Sequence, residues 1–443
     1  MRHFQSRPQA ATFREYRVDR LRHRDIHHNS QAWLGFSCLT LVHTTTYHLK
    51  EPRASPRVSL LHLHCTICID FGSVSHLHSM PGHFGQKILK TLGLDEQRSP
   101  QLFHPQNDAR LPGNRLINND ERLLSSDPSG TYPRLAKLSD GSILSAFTRF
   151  AGQTRILTVA KSTDGGCTFH DFGEVTRSQG DCDNLFLLEV APSIVLGAFR
   201  NHDLGPNGPT HFRITVCRST DGGRSWQYAS QAVEKSPPNG IWEPFMRLGR
   251  QGEVQLFYSQ EYAHDNQCTM LVRSFDQGSS WSPPECLEGI NDRIRDGMTG
   301  ITSTVDHGRE ALVMVFETTR YGTFNLEALL SYDDGRTWGW RHEVYVPPRA
   351  HNAGAPQIAS FADGSLAVIF MTDEDERDVQ WPNNACIKMV FAGPPQDGRI
   401  SWTQPTVICP HRSHWPGVLA LDHHTLLAVY ECGGPKGKTV TLQ

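Results

Sequence analysis

The 443-residue chain lacks most of the features that would assign it quickly. No apolar run approaches the roughly 18 residues that a membrane-spanning helix needs, so no partnership with a membrane is expected. Charge of one sign is missing too: 43 basic residues stand against 46 acidic ones, a net −3 that argues against nucleic acid as a partner. There is no phosphate-cradling Gly-Lys-Ser/Thr loop and no dinucleotide-binding Gly-x-Gly-x-x-Gly unit between a strand and a helix, and no cofactor is expected. Eight of the 11 cysteines (Cys167, Cys182, Cys217, Cys268, Cys286, Cys386, Cys409, Cys432) fall late in the chain, at no spacing that suggests a disulfide framework. They are expected to be buried thiols. A secretory signal follows neither Met1 nor Met80. What is plentiful is glycine and proline, 37 and 27, with 21 Phe and 9 Trp, which suits short strands joined by turns and points to an all-β fold.

Composition divides the chain. Residues 1–83 hold 11 of the 23 histidines, and up to Ser79 ten Lys/Arg stand against five Asp/Glu, which leaves 33 basic against 41 acidic residues in the remainder. Glu15, Asp19 and Asp25 interrupt the early arginines and weigh against a mitochondrial transit peptide. His62, His64, Cys65, Cys68, His76 and His78 include metal-ligand types, but no second Cys pair follows at a zinc-site distance, so no metal is expected. Residues 1–111 are expected to be a largely unstructured leader, with the functional protein starting near Met80, and residues 112–443 a single catalytic domain.

Repeats set the architecture of that domain. Four octets, 162–169, 219–226, 274–281 and 331–338, match Ser-x-Asp-x-Gly-x-Thr/Ser-Trp/Phe at spacings of 57, 55 and 57 residues, with a degenerate copy at 397–402. Asp and Ser side chains bonding nearby amides, with Gly supplying an unusual backbone angle, describe a tight hairpin turn. The octets resemble the Asp-box (BNR repeat) of sialidases and related propellers, so Asp164, Asp221, Asp276 and Asp333 are expected to be structural. A second repeat, apolar segment, polar turn and apolar segment, occupies 132–148, 184–200, 243–259, 298–317, 355–371 and 415–431. Six copies predict a six-bladed β-propeller. The last blade is a strand short, and a strand near 115–124 is expected to complete it.

If the box turns mark one face, catalytic residues must come from the other, where first strands begin and second strands end. First strands begin at Tyr132-Pro133-Arg134, Trp242-Glu243-Pro244, Asp296-Gly297-Met298, Ala355-Pro356-Gln357 and Trp415-Pro416; second strands end at Arg149, Arg200, Tyr258 to Glu261, Glu317, Asp373 and Glu431. Acids, arginines and aromatics together suit a carbohydrate, whose cleavage takes two carboxyl groups. Glu243 and Glu317 would lie on adjoining blades, and Trp242 and Pro244 give Glu243 an apolar setting that should raise its pKa. Glu261, Asp296, Asp373 and Glu431 hold comparable places, so pattern alone leaves the pair open.

Gly240-Ile241-Trp242-Glu243-Pro244-Phe245, Tyr258-Ser259-Gln260-Glu261, Arg295-Asp296-Gly297-Met298, Val315-Phe316-Glu317, Asn352-Ala353-Gly354-Ala355-Pro356-Gln357 and Met371-Thr372-Asp373-Glu374-Asp375 resemble the exo-α-1,5-L-arabinanases of glycoside hydrolase family 93. The similarity spans 131–432 in the right order. It implies a retaining glycosidase that releases short arabino-oligosaccharides from the ends of arabinan, with Glu243 as acid/base and Glu317 as nucleophile. Arg134, Arg200, Trp242, Tyr258, Asp296 and Trp415 are candidate sugar contacts. An oligo- or polysaccharide partner, a monomer and an extracellular site of action are expected, the last from the substrate alone. Two alternatives stand beside this: an exo-sialidase, although Tyr132-Pro133-Arg134 lacks that family's Phe/Tyr-Arg-Ile-Pro order, and a glycan-binding propeller without catalysis.

Overall fold

The computed structural model describes residues 115–443, apart from 127–128, 378 and 411. The leader, the start near Met80 and the neighbourhood of Cys65 and Cys68 lie outside the described residues.

Each octet closes the turn between the third and fourth strands of a sheet. Ser162 Oγ donates to Asp164 at 2.7 Å and accepts the Gly166 N–H at 2.9 Å, while Asp164 accepts the N–H groups of Cys167 and Thr168, each at 3.0 Å, and the Thr168 hydroxyl at 2.6 Å. Asp221, Asp276 and Asp333 each accept the same Ser and Thr/Ser hydroxyls and backbone N–H groups of their own boxes. The degenerate turn borrows its acid from a neighbour: the N–H groups of Asp397 and Gly398 donate to Asp306 of the adjacent blade at 3.0 and 2.9 Å.

Six antiparallel sheets follow one another around the ring, and among the described residues there is no helix. Their first strands are Thr131–Lys137, Asp181–Ala191, Ile241–Leu248, Gly297–Asp306, Ala353–Ser360 and His414–Ala420, which number blades one to six. The core lies between blades, as six apolar clusters, one at each junction. The box aromatics Phe169, Trp226, Trp281, Trp338 and Trp402 each enter the junction with the preceding blade, so a turn on the rim also anchors a core.

Ring closure is where the sequence placed it. Arg115–Ile117 and Arg122–Leu123 both pair with Pro435–Leu442 and supply the outer edge of blade six in two short pieces. The turn between them is polar: Asp120 accepts the Thr439 N–H at 3.0 Å, and Glu121 accepts the Tyr430 hydroxyl at 2.8 Å.

Candidate active site

All six first strands break register at the same place. Pairing slips by one residue between Thr131 and Arg134, Asp183 and Phe186, Trp242 and Phe245, Gly297 and Gly300, Gly354 and Gln357, and His414 and Gly417. Within each slip one residue, Tyr132, Asn184, Glu243, Met298, Ala355 or Trp415, has a positive φ, between 32° and 57°. Such a bulge re-aims a side chain, and holding a non-glycine residue there costs on the order of 1–3 kcal/mol. Proline follows in four of the six, at Pro133, Pro244, Pro356 and Pro416, where no N–H is needed for the ladder. Opposite the residue before each bulge, the second strands present Thr148, Arg200, Ser259, Glu317, Met371 and Glu431. The fold thus makes two rings of six equivalent positions, and each blade spends its pair differently.

Glu243 holds the bulge position of blade three and Glu317 the second-strand position of blade four. Both are half-buried. Burial pushes the Glu243 carboxyl up to about 8, with Arg200 pulling against it and Glu317 adding to it. Burial pushes Glu317 up to about 7, opposed by the Ala355 N–H, which donates to Oε2 at 2.7 Å, and by Arg295. Gly354 makes room for this carboxylate: a Cβ there would lie 2.5 Å from Glu317 Oε2 and 3.0 Å from the Trp381 ring. Trp381, on the loop between the second and third strands of blade five, stands 6.2 Å from the Phe324 ring and walls this side of the nucleophile candidate.

Two arginines flank the glutamates. Arg200 bonds Asp181 at 3.0 Å, approaches Asp183 at 3.6 Å and lays its guanidinium 5.5 Å from the Trp242 ring centre. Asp183 is itself fixed by the Thr148 hydroxyl at 2.5 Å, the Asn184 N–H at 2.9 Å and Arg155 at 3.2 Å. Arg295 is tied to Glu261 and Gln267, each at 2.7 Å, and to the His264 carbonyl at 3.0 Å. Its charge acts on both glutamates.

The expected sugar contacts separate into two groups. Arg200, Trp242 and Trp415 stand at the rings beside the glutamates or on the bulges, and Trp415 stacks on Tyr132 with centroids 4.3 Å apart. Arg134 is buried and donates to the carbonyls of Pro133, Trp415 and Pro416 at 2.9, 3.3 and 2.8 Å, which clamps the bulges of blades one and six together. Tyr258 packs in the junction of blades two and three, and its neighbour Ser259 takes the ring position. Asp296 is 1% exposed and binds Arg341 through both oxygens, at 2.8 and 3.1 Å. Of the competing acids, Glu261 is held by Arg295, Asp373 by the Asn352 N–H at 2.7 Å, and Glu431 accepts the Thr131 hydroxyl. Asp183, Asn184, Ser259, Arg295, Gly354 and Trp381 were not singled out as site residues in the sequence. Counting each blade's repeat from its first residue would have found Asn184 and Ser259; Trp381 lies in a loop outside any repeat. Among the described residues no three His, Cys, Asp or Glu side chains gather as a metal would require.

No protein-family model and no curated protein matches the chain. Solved structures do. A Dyadobacter fermentans protein of unknown function aligns over 75% of this chain and 100% of its own at 16% identity, with a TM-score of 0.57. An α-L-arabinanase of Penicillium chrysogenum, solved with arabinobiose, aligns over 74% of this chain and 98% of its own at 15% identity and a TM-score of 0.53. A family 93 α-L-arabinofuranosidase of Fusarium graminearum, also with arabinobiose, aligns over 74% and 97% at 17% identity and a TM-score of 0.51. Likeness at this level of identity is a likeness of fold, and the chain shares its propeller with these glycoside hydrolases.

Proposed function

We propose that the protein is a retaining glycoside hydrolase that releases short arabino-oligosaccharides from the ends of α-1,5-linked arabinan. The observation that carries this is the glutamate pair: two carboxyl groups from adjoining blades, close enough for one to raise the other's pKa, in unlike surroundings. Two acids whose environments set them apart are what acid/base and nucleophile roles require. Glu243, pushed higher, holds its proton and donates it to the departing glycosidic oxygen. Glu317, oriented by the Ala355 N–H, is the carboxylate that attacks the anomeric carbon and forms the glycosyl ester. Glu243, now deprotonated, takes a proton from water as that water displaces Glu317, and configuration is retained over the two steps.

A neutral sugar is favoured over a sialic acid by the state of the arginines. Arg200 and Arg295 are already paired with internal carboxylates, and Arg134 with three carbonyls, so a substrate carboxylate would have to compete with these partners for their charge. The arabinobiose bound by two proteins of the same fold supports the choice of sugar. Reducing-sugar release from linear arabinan by the full chain tests the proposal. Cleavage of a sialyl-aryl substrate in its place would turn the assignment to the sialidase, and glycan binding without turnover would turn it to a lectin.

A further inference from the structure

The junction of blades two and three at the axis holds polar atoms that the protein itself leaves unpaired. Asn184 is 5% exposed, and neither its amide nitrogen nor its amide oxygen has a hydrogen-bond partner. Arg200 Nε and Trp242 Nε1 are buried in the same condition. Around them Asp183 accepts three bonds and Arg200 spends Nη2 on Asp181, while Ser259 Oγ and His202 Nδ1 are buried without a hydrogen-bond partner as well. A buried donor or acceptor without a partner costs roughly 1–3 kcal/mol, so a cluster of them beside a catalytic pair calls for a ligand that satisfies them.

We infer that Asn184, with Arg200 Nε and Trp242 Nε1, is a hydroxyl-reading subsite that fixes the sugar residue on the blade-two side of Glu243, and that Asn184 determines specificity for a neutral polyol there. Three features converge. Asn184 occupies in blade two the bulge position that Glu243 occupies in blade three, with a φ of 57°. Asparagine is among the few side chains other than glycine that visit this conformation, so holding the amide at the ring costs less backbone strain than it does for the other five bulge residues. The open atoms are three N–H donor groups and one carbonyl acceptor, and the acceptor needs an O–H or N–H facing it. An ionised carboxylate only accepts and would leave the Asn184 oxygen unpaired, whereas vicinal hydroxyls both donate and accept. The charge of Arg200 is already balanced by Asp181 and Asp183, which removes the remaining reason for an anion at this place.

The inference rests on the glycosidase reading for its sugar, and the experiment separates the two. Asn184→Gly removes the amide and leaves a residue suited to the positive φ, so it is not expected to unfold the blade. It is made in the full chain with Glu317→Gln, which blocks turnover, and calorimetric titration follows with arabinobiose, arabinotriose and a panel of neutral hexose oligosaccharides. Relative to Glu317→Gln alone, affinity should fall at least about tenfold for whichever sugar binds, while Tm stays level or rises because unpaired buried groups are gone. With Glu317 intact, Asn184→Gly should raise KM more than it lowers kcat. Unchanged affinity overturns the inference, as does a Tm several degrees lower with KM unmoved, which would make Asn184 a structural residue. If a hexose oligosaccharide binds and no arabino-oligosaccharide does, the arabinan reading fails and the Asn184 comparison still decides the subsite. A Glu317→Gln protein that binds none of these sugars contradicts both.

Discussion

A single methyl group at residue 354 should disable the proposed nucleophile without unfolding the protein. Gly354 opens blade five, and a Cβ built on it lies 2.5 Å from Glu317 Oε2, whereas ordinary contact begins at 3.4 Å, so the carboxylate or the strand must yield by about 0.9 Å. The Trp381 ring, 3.0 Å from the same Cβ, blocks the retreat on its side. The Ala355 N–H that orients Glu317 at 2.7 Å is on the next residue, so the clash and the loss of this bond go together. Misplacing a reacting group by roughly 1 Å costs on the order of 100-fold in rate. The backbone of Gly354 does not lie in the left-handed region, so alanine adopts it, and the stability cost is that of overpacking, about 1–3 kcal/mol. The measurement is kcat on linear arabinan beside a calorimetric Tm for wild type and Gly354→Ala. We expect kcat to fall about 100-fold with the cooperative unfolding transition intact. A kcat within about threefold of wild type, under 1 kcal/mol of barrier, would refute the placement of Glu317 against Gly354 and with it the nucleophile assignment.

Four further outcomes follow from the site and its scaffold. Activity should be bell-shaped in pH, falling below about 7 as Glu317 takes up a proton and above about 8 as Glu243 gives its own up; an acid limb at the ordinary carboxylate value near 4.5 would contradict the burial argument. The same raised values cost stability: between about 4.5 and 8 the folded state retains protons that the unfolded chain has released, so stability falls as pH rises, and Glu243→Gln should raise Tm at pH 8 but not at pH 4. Asp296→Ala should destabilise by about 3–5 kcal/mol by leaving Arg341 short of its bidentate partner, with KM unchanged; a raised KM at normal Tm would put Asp296 on the substrate. Asp221→Ala opens a box turn on the face opposite the glutamates and should lower Tm while leaving kcat alone, and a loss of kcat at full stability would refute its structural role.

The scaffold was legible because its signals are local. An octet that bonds within itself needs no tertiary context, so the octet spacing and the hairpin turns carry over from sequence to structure directly. The six copies of the second repeat run from one ring to the other, from Tyr132 to Thr148 and from Glu243 to Ser259, because the bulge and its partner are set by the same backbone pattern in every blade. Side-chain direction was less legible. Asp296 and Arg295 are adjacent residues just before a strand, where no period of two fixes which one faces the axis, and the structure turns Asp296 to Arg341 and Arg295 toward the glutamates. Tyr258 and Ser259 are likewise adjacent, and the register with Trp242 decides for Ser259. In blade two Asn184 opens the repeat at 184–200 but is followed by leucine rather than proline, so its bulge is marked by the repeat count alone. Trp381 reaches Gly354 from a loop that belongs to no repeat, and only the fold brings them together.

The division of labour between the two glutamates is tested most directly by azide. Glu317→Ala and Glu243→Ala are each given an activated aryl α-arabinobioside and azide, and the configuration of the glycosyl azide is read by NMR. Without its nucleophile, Glu317→Ala should admit azide to the anomeric carbon directly and yield the inverted β-azide; Glu243→Ala should still form the ester on Glu317 and yield the retained α-azide. An inverted product from Glu243→Ala and a retained one from Glu317→Ala would exchange the roles, and near wild-type hydrolysis by both variants would contradict the account.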